Sequence, residues 1–86
     1  MSHIHNEMPV YARDVGLDQK IEYDSSNNAI YVGLAFPGAS TASAVWQIKK
    51  LTYDSSGNMT SLRYADSTDD FTKIWTSRAT YNYVDI

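Results

Sequence analysis

The chain of 86 residues has no cysteine, only two prolines and four glycines. The missing thiols exclude a disulfide scaffold and a thiolate metal site. The low proline and glycine content excludes collagen-like and proline-rich linker architectures. No apolar run approaches the roughly 20 residues that cross a bilayer, and the first residues lack an apolar signal-peptide core. A basic surplus is missing too: the formal net charge is −3. Nucleic-acid binders need a basic face, so no nucleic-acid partner is expected, and no membrane partner either.

Aromatic residues are plentiful, with seven tyrosines and two tryptophans. Aromatic and β-branched side chains suit a pleated, half-buried surface, so a strand-rich fold is expected. The length makes one domain, burying only about 60–65% of the unfolded chain's surface. Assembly with other chains is a common supplement at that size. Residues 1–10 keep no stable period and read as an N-terminal arm, with 11–86 as a single β domain.

Two stretches organise that domain. Trp46–Ala65 reads as a hairpin around Asp54-Ser55-Ser56-Gly57-Asn58, and Ile21–Ala35 as a second, weaker copy around Asp24-Ser25-Ser26-Asn27-Asn28. Tyr23/Tyr53, Asp24/Asp54, Ser25/Ser55, Ser26/Ser56, Asn28/Asn58 and Ala35/Ala65 coincide at an offset of 53 − 23 = 30 residues. In each copy the third loop residue, Asn27 or Gly57, takes the left-handed backbone conformation. Asp24, Asn27, Asp54 and Gly57 are therefore turn residues. The simplest register pairs Tyr23 with Ala29, Ile21 with Tyr31, Tyr53 with Met59, Leu51 with Ser61, Ile48 with Tyr64 and Lys49 with Arg63. The apolar phase then changes near Lys49-Lys50, which points to strong twist, a bulge or burial on both faces. The strand at 28–35 is apolar on both sides and is expected in mid-sheet.

Between the copies, Phe36–Ala44 is a small-residue segment punctuated by Pro37-Gly38 and reads as an exposed loop. After the second copy, Ser67 with Asp70 resembles a capping box. Phe71, Ile74, Trp75 and Arg78 follow at helical spacing, predicting a short helix near residues 68–77. Residues 79–84 alternate like a closing strand. The expected fold is mainly β: a small antiparallel β-sandwich or partly open barrel built from two similar hairpins.

Catalytic constellations are thin. His3, His5 and Glu7 share a face only if the arm is extended, and no rigid element holds them. Asp66, Asp69 and Asp70 lack the spacing of a calcium loop and suit helix capping. The paired serines have no base beside them, and Asp24 and Asp54 are accounted for by turn chemistry. Catalytic residues, cofactors and metals are therefore expected to be none, and the chain is not expected to be an enzyme. The candidate contact surface is Trp46, Lys49, Lys50 and Arg63 beside Phe36, Pro37 and Gly38. Trp75 is assigned to the core and Trp46 to the surface.

The turn Tyr53–Asn58 is similar to that of tyrosine–aspartate repeats in cell-surface and toxin shell proteins, a likeness of turn physics. A broader likeness rests on the order of motifs: Trp46-Gln47-Ile48-Lys49-Lys50, Tyr53-Asp54, Gly57-Asn58, Ala65-Asp66, Phe71, Ile74-Trp75, Arg78-Ala79 and Tyr81 through Tyr83. Across roughly residues 29–83 the chain resembles small structural proteins of tailed bacteriophages. That resemblance implies a virion component made in the host cytoplasm. It would act through contacts with other virion proteins or itself, in capsid decoration or as a head–tail or fibre adaptor. The alternative is a carbohydrate- or other ligand-binding β module using exposed aromatics, with a glycan as partner.

Overall fold

The computed structural model describes residues 16–84. The arm 1–10 and positions 11–15 of the expected β domain lie outside that range. Five strands form in chain order: β1 (Asp18–Tyr23), β2 (Ala29–Ala35), β3 (Ala44–Tyr53), β4 (Met59–Tyr64) and β5 (Lys73–Ile74). The first four make an antiparallel meander in sequence order, and β5 pairs with the start of β3. The fold is mainly β and antiparallel, as the sequence indicates, and the sheet does not close into a barrel.

Both turns form as the residue types dictate. Asp24 Oδ1 accepts the backbone N–H groups of Ser26 and Asn28, and Asp54 Oδ1 accepts those of Ser56 and Asn58. Asn27 and Gly57 both have positive φ, at 67° and 85°. The duplication extends further than the turn residues. Each hairpin carries a register shift just outside its turn, at Glu22/Tyr23 and at Thr52/Tyr53. The expected pairs next to the turns, Tyr23 with Ala29 and Tyr53 with Met59, are present. Beyond them every pair moves by one residue. Val32 stands opposite Ile21, Leu62 opposite Leu51, Tyr64 opposite Lys49, and Arg63 opposite Lys50.

Alternation along the strands assigns two faces. Tyr31, Gly33 and Ala35 of β2 share a face with Trp46, Ile48 and Lys50 of β3. The buried core is Ala35, Trp46, Ile48, Ala65 and Trp75, with Tyr31, Ala39, Tyr81 and Tyr83 packed against it. The core therefore lies on one side of one sheet, covered by the C-terminal segment, and no second sheet forms among the described residues. β3 needs no change of phase: Trp46 and Ile48 serve the covered side, and Leu51 belongs to the other.

The C-terminal part departs most from the sequence reading. The longer helical segment is a 3-10 stretch, Trp75–Thr80, that overlaps only the end of the helix expected at 68–77. The capping box does not form, because Ser67 has φ of 61° inside the turn Ala65–Ser67. Residues 81–84 form no strand. Tyrosine hydroxyls and one aspartate fix this segment in place of a ladder. Tyr81 Oη accepts the N–H of Ile74 at 2.9 Å, and Tyr83 donates its hydroxyl proton to the Arg78 carbonyl at 2.6 Å. Asp66 receives the N–H of Asn82 on Oδ1 and donates its own N–H to the Asn82 carbonyl.

Gly33 makes this packing fit. A Cβ built there would lie 2.6 Å from Trp75 Cε3 and 3.1 Å from Trp46 Cε3. Gly33→Ala must therefore lift a buried indole off the sheet, an overpacking change costing about 1–3 kcal/mol. Urea unfolding followed by tryptophan fluorescence is expected to show that loss, with a lower midpoint and an unchanged slope.

Candidate functional site

The expected contact surface is divided by the structure. Trp46, expected at the surface, is only 2% exposed. Its ring lies 6.0 Å from that of Trp75, and its Nε1–H donates to the Ser40 carbonyl. The loop before β3 folds back over it, so the small residues that seemed to leave Trp46 open instead allow the close approach. Lys50 is on the same covered side. Its ammonium stands 5.8 Å from the ring centres of both Tyr31 and Tyr83, a cation held between two π faces. Arg63 stands opposite Lys50 on that side and donates from Nη1 to the Leu62 carbonyl. A second cation stacks here: the Arg78 guanidinium lies 4.6 Å from the Trp75 ring and donates from Nε to Glu22 at 2.8 Å. Burial raises the Tyr83 hydroxyl well above the ordinary tyrosine range.

Lys49 points the other way. It belongs to the face left open by the described residues, together with Ile21 of β1, Ile30, Val32 and Leu34 of β2, Leu51 of β3, and Leu62 and Tyr64 of β4. None of these residues is buried, and Ile21 and Leu62 remain 38% and 39% exposed. Seven apolar or aromatic side chains from four adjacent strands thus form one continuous face that no strand or helix among the described residues covers. Among these strand residues Lys49 carries the single charge. It lies 5.7 Å from the Tyr64 ring centre, and burial of its stem lowers its pKa. No carboxylate pairs with it among the described residues.

Phe36, Pro37 and Gly38 are exposed, as expected. Phe36 is 65% exposed, and its ring lies 6.0 Å from that of Phe71. Gly38 donates its N–H to Asp18 Oδ2, which ties the loop to the start of β1. A shallow groove of about 540 Å³ runs along β4, lined by Leu62, Tyr64, Thr68, Asp69 and Val84 among others. Neither this groove nor the one between the two hairpin turns contains a tryptophan. Trp46, expected at the surface, thus belongs to the core and offers no open ring face to a ligand. No group of three or more His, Asp or Glu residues that could hold a metal ion occurs among the described residues.

Sequence reasoning missed the open face because its register was off by one residue. The signal was present in β2, where Ile30, Val32 and Leu34 alternate on the side opposite Tyr31. Comparison with family models, curated proteins and solved structures finds no match for this chain.

The turn aspartates remain structural. Asp54 has its pKa held below the usual carboxylate value, chiefly by the Asn58 N–H. A depressed folded-state pKa adds stability above the unfolded value and loses it as pH falls through the folded one. A carboxyl NMR titration is expected to place Asp54 below the unfolded-chain value near 3.8. In Asn58→Pro, which removes that donor, the midpoint is expected to move back up.

Proposed function

We propose that this chain is a small structural protein that works through protein–protein contacts, and specifically a virion component of a tailed bacteriophage. The observation that carries the contact reading is the open apolar face centred on Val32, Lys49 and Leu62. Monomeric soluble proteins rarely leave a contiguous apolar patch of several hundred Å² exposed, and such patches mark interaction sites. Four strands spaced about 4.8 Å apart, each about 20 Å long, give a patch on the order of 400 Å². That is half of one partner's share of a standard interface, and the exposed Phe36 loop and the edges of β1 and β4, unpaired among the described residues, extend it. Edge strands accept a neighbour's strand by backbone pairing, and both edge strands are short. The virion assignment rests on the motif order from Trp46 to Tyr83. The location it implies is the phage particle, whether as capsid decoration or at a head–tail or fibre junction.

The proposal is tested on particles. Mass spectrometry of purified phage is expected to find the chain at a fixed copy number per capsid, and its absence would refute the virion assignment. Leu62→Glu is expected to abolish incorporation while shifting the unfolding free energy by no more than about 0.5 kcal/mol, because Leu62 is a surface position. A variant that is still incorporated normally would remove the open face from the contact.

A further inference from the structure

β1 is an edge strand whose outer side meets no other strand among the described residues, and it leaves Ile21 38% and Tyr23 57% exposed. Its sequence, Asp18-Gln19-Lys20-Ile21-Glu22-Tyr23, sets opposite charges on either side of Ile21. Lys20 and Glu22 both lie on the covered side of the sheet, across from Gly33 and Tyr31. We propose that the partner of this edge is β1 of a second copy, paired antiparallel about a two-fold axis at Ile21, so that Lys20 of each copy meets Glu22 of the other.

Symmetry and strand alternation select this register. A two-fold axis relating two neighbouring antiparallel strands stands perpendicular to the sheet and keeps every side chain on its own face. Residues directly opposite each other must share a face, so the centre is a residue standing opposite its own copy. Centring on Lys20 would set two ammonium groups face to face and Asp18 opposite Glu22. Centring on Glu22 would oppose two carboxylates. Centring on Gln19 would overlap only three residues of β1. Centring on Ile21 overlaps five, Gln19 to Tyr23, and forms the Lys20–Glu22 pair twice. It also sets Ile21 against Ile21 and lays Tyr23 beside Gln19 on the open side.

Opposite charges directly across two strands stabilise their pairing. Lys20 has no ion pair among the described residues. Glu22 accepts from Arg78 on Oε1, which leaves its second oxygen for a lysine. The outermost pair, Asp18 with the second copy's Asp24, brings two carboxylates to the rim, each already bonded to backbone N–H groups of its own chain. The other edge offers no equivalent, because β4 has no acidic residue between Met59 and Tyr64.

This inference rests on the contact reading above and names the partner of one edge. It also joins the two open faces. Ile21 continues into Ile21 of the second copy, so the face doubles to about 800 Å², one partner's full share of a standard interface.

The test uses the purified full-length chain with no particle present, so it can fail while the virion assignment stands, and the reverse. Sedimentation velocity is expected to show a monomer–dimer equilibrium at concentrations on the order of 100 μM, as suits a small interface. A chain that stays monomeric there would overturn the proposal. Lys20→Glu is expected to weaken the dimer at least about tenfold and Lys20→Arg to preserve it. A dimer indifferent to Lys20→Glu would also overturn the pairing. Because the chain has no cysteine, introduced thiols report the register. Opposite Cα atoms in an antiparallel pair lie about 4.5–5.5 Å apart, within disulfide reach. Under mild oxidation Ile21→Cys is expected to cross-link to itself, and Leu62→Cys on β4 to stay monomeric. An equal mixture of Gln19→Cys and Tyr23→Cys is expected to favour the 19–23 cross-link over 19–19 and 23–23. Cross-linking through Leu62→Cys instead of Ile21→Cys, or a mixture without preference, would place the contact elsewhere and overturn the β1 pairing. The fluorescence of Trp46 and Trp75, buried on the covered side, verifies that each variant is folded.

Discussion

The placement of Trp75 over Gly33 and against Trp46 is the contact on which the fold depends. A buried aromatic side chain removes about 150–250 Å² from water, worth about 4–6 kcal/mol at 25 cal/mol per Å². That is comparable to the whole net stability of a domain this small. Among the described residues five hydrophobic side chains make up the buried core, and the two indoles supply most of its volume. The sheet can hold them only because β2 has no side chain at position 33. The rest of the C-terminal segment keeps Trp75 in position. The Thr76 N–H donates to Thr41, Arg78 stacks on the indole and binds Glu22, and Tyr81, Tyr83 and Asp66 fasten the backbone on either side.

That arrangement explains why the cations of the covered side are structural. Lys50 and Arg78 sit among Tyr31, Tyr83 and Trp75 because their stems can lie on apolar rings while the charges meet π faces. Lys50 stands opposite Arg63, a like-charge pair that ordinarily destabilises a sheet. Attraction to the tyrosine faces draws Lys50 aside from that pairing.

The hairpins were legible because their turns are governed by local chemistry. An aspartate at the first position and a residue tolerant of positive φ at the fourth determine each turn within five residues. The bulges were not legible, since a one-residue shift leaves the turn unchanged and alters only which side chains meet across the strands. The burial of Trp46 was hidden for a different reason. Small residues such as Ala39, Ser40 and Ala42 read as an exposed loop, yet small side chains are also what lets a loop lie against an indole, and Ser40 offers its carbonyl to the ring N–H. At the C-terminal end the i, i+3, i+4, i+7 spacing correctly grouped Trp75 with Arg78, which meet as i and i+3 in a 3-10 segment. Its assignment of Phe71 to the same helix failed, because Phe71 pairs with Phe36 across the loop.

One sheet with one covered face leaves a definite imbalance. β2 is apolar on both sides, so whatever covers Tyr31, Gly33 and Ala35 leaves Ile30, Val32 and Leu34 facing out. A second sheet would resolve this within one chain, but none forms among the described residues: Trp75 and the tyrosine anchors hold residues 73–83 on the first face, and only residues 67–69 and Val84 flank Leu62 and Tyr64. Covering the second face therefore falls to residues outside β1–β5 or to another molecule. A fully apolar face would accept any greasy surface. Lys49 in its centre changes that, because burying an ammonium without a partner costs several kcal/mol. An occupant must bring a carboxylate to that point or leave Lys49 a route to water. The half-buried lysine thus turns a non-selective patch into one that discriminates by charge. Of the candidate contact residues Trp46, Lys49, Lys50 and Arg63, Lys49 alone lies on the open side of the sheet.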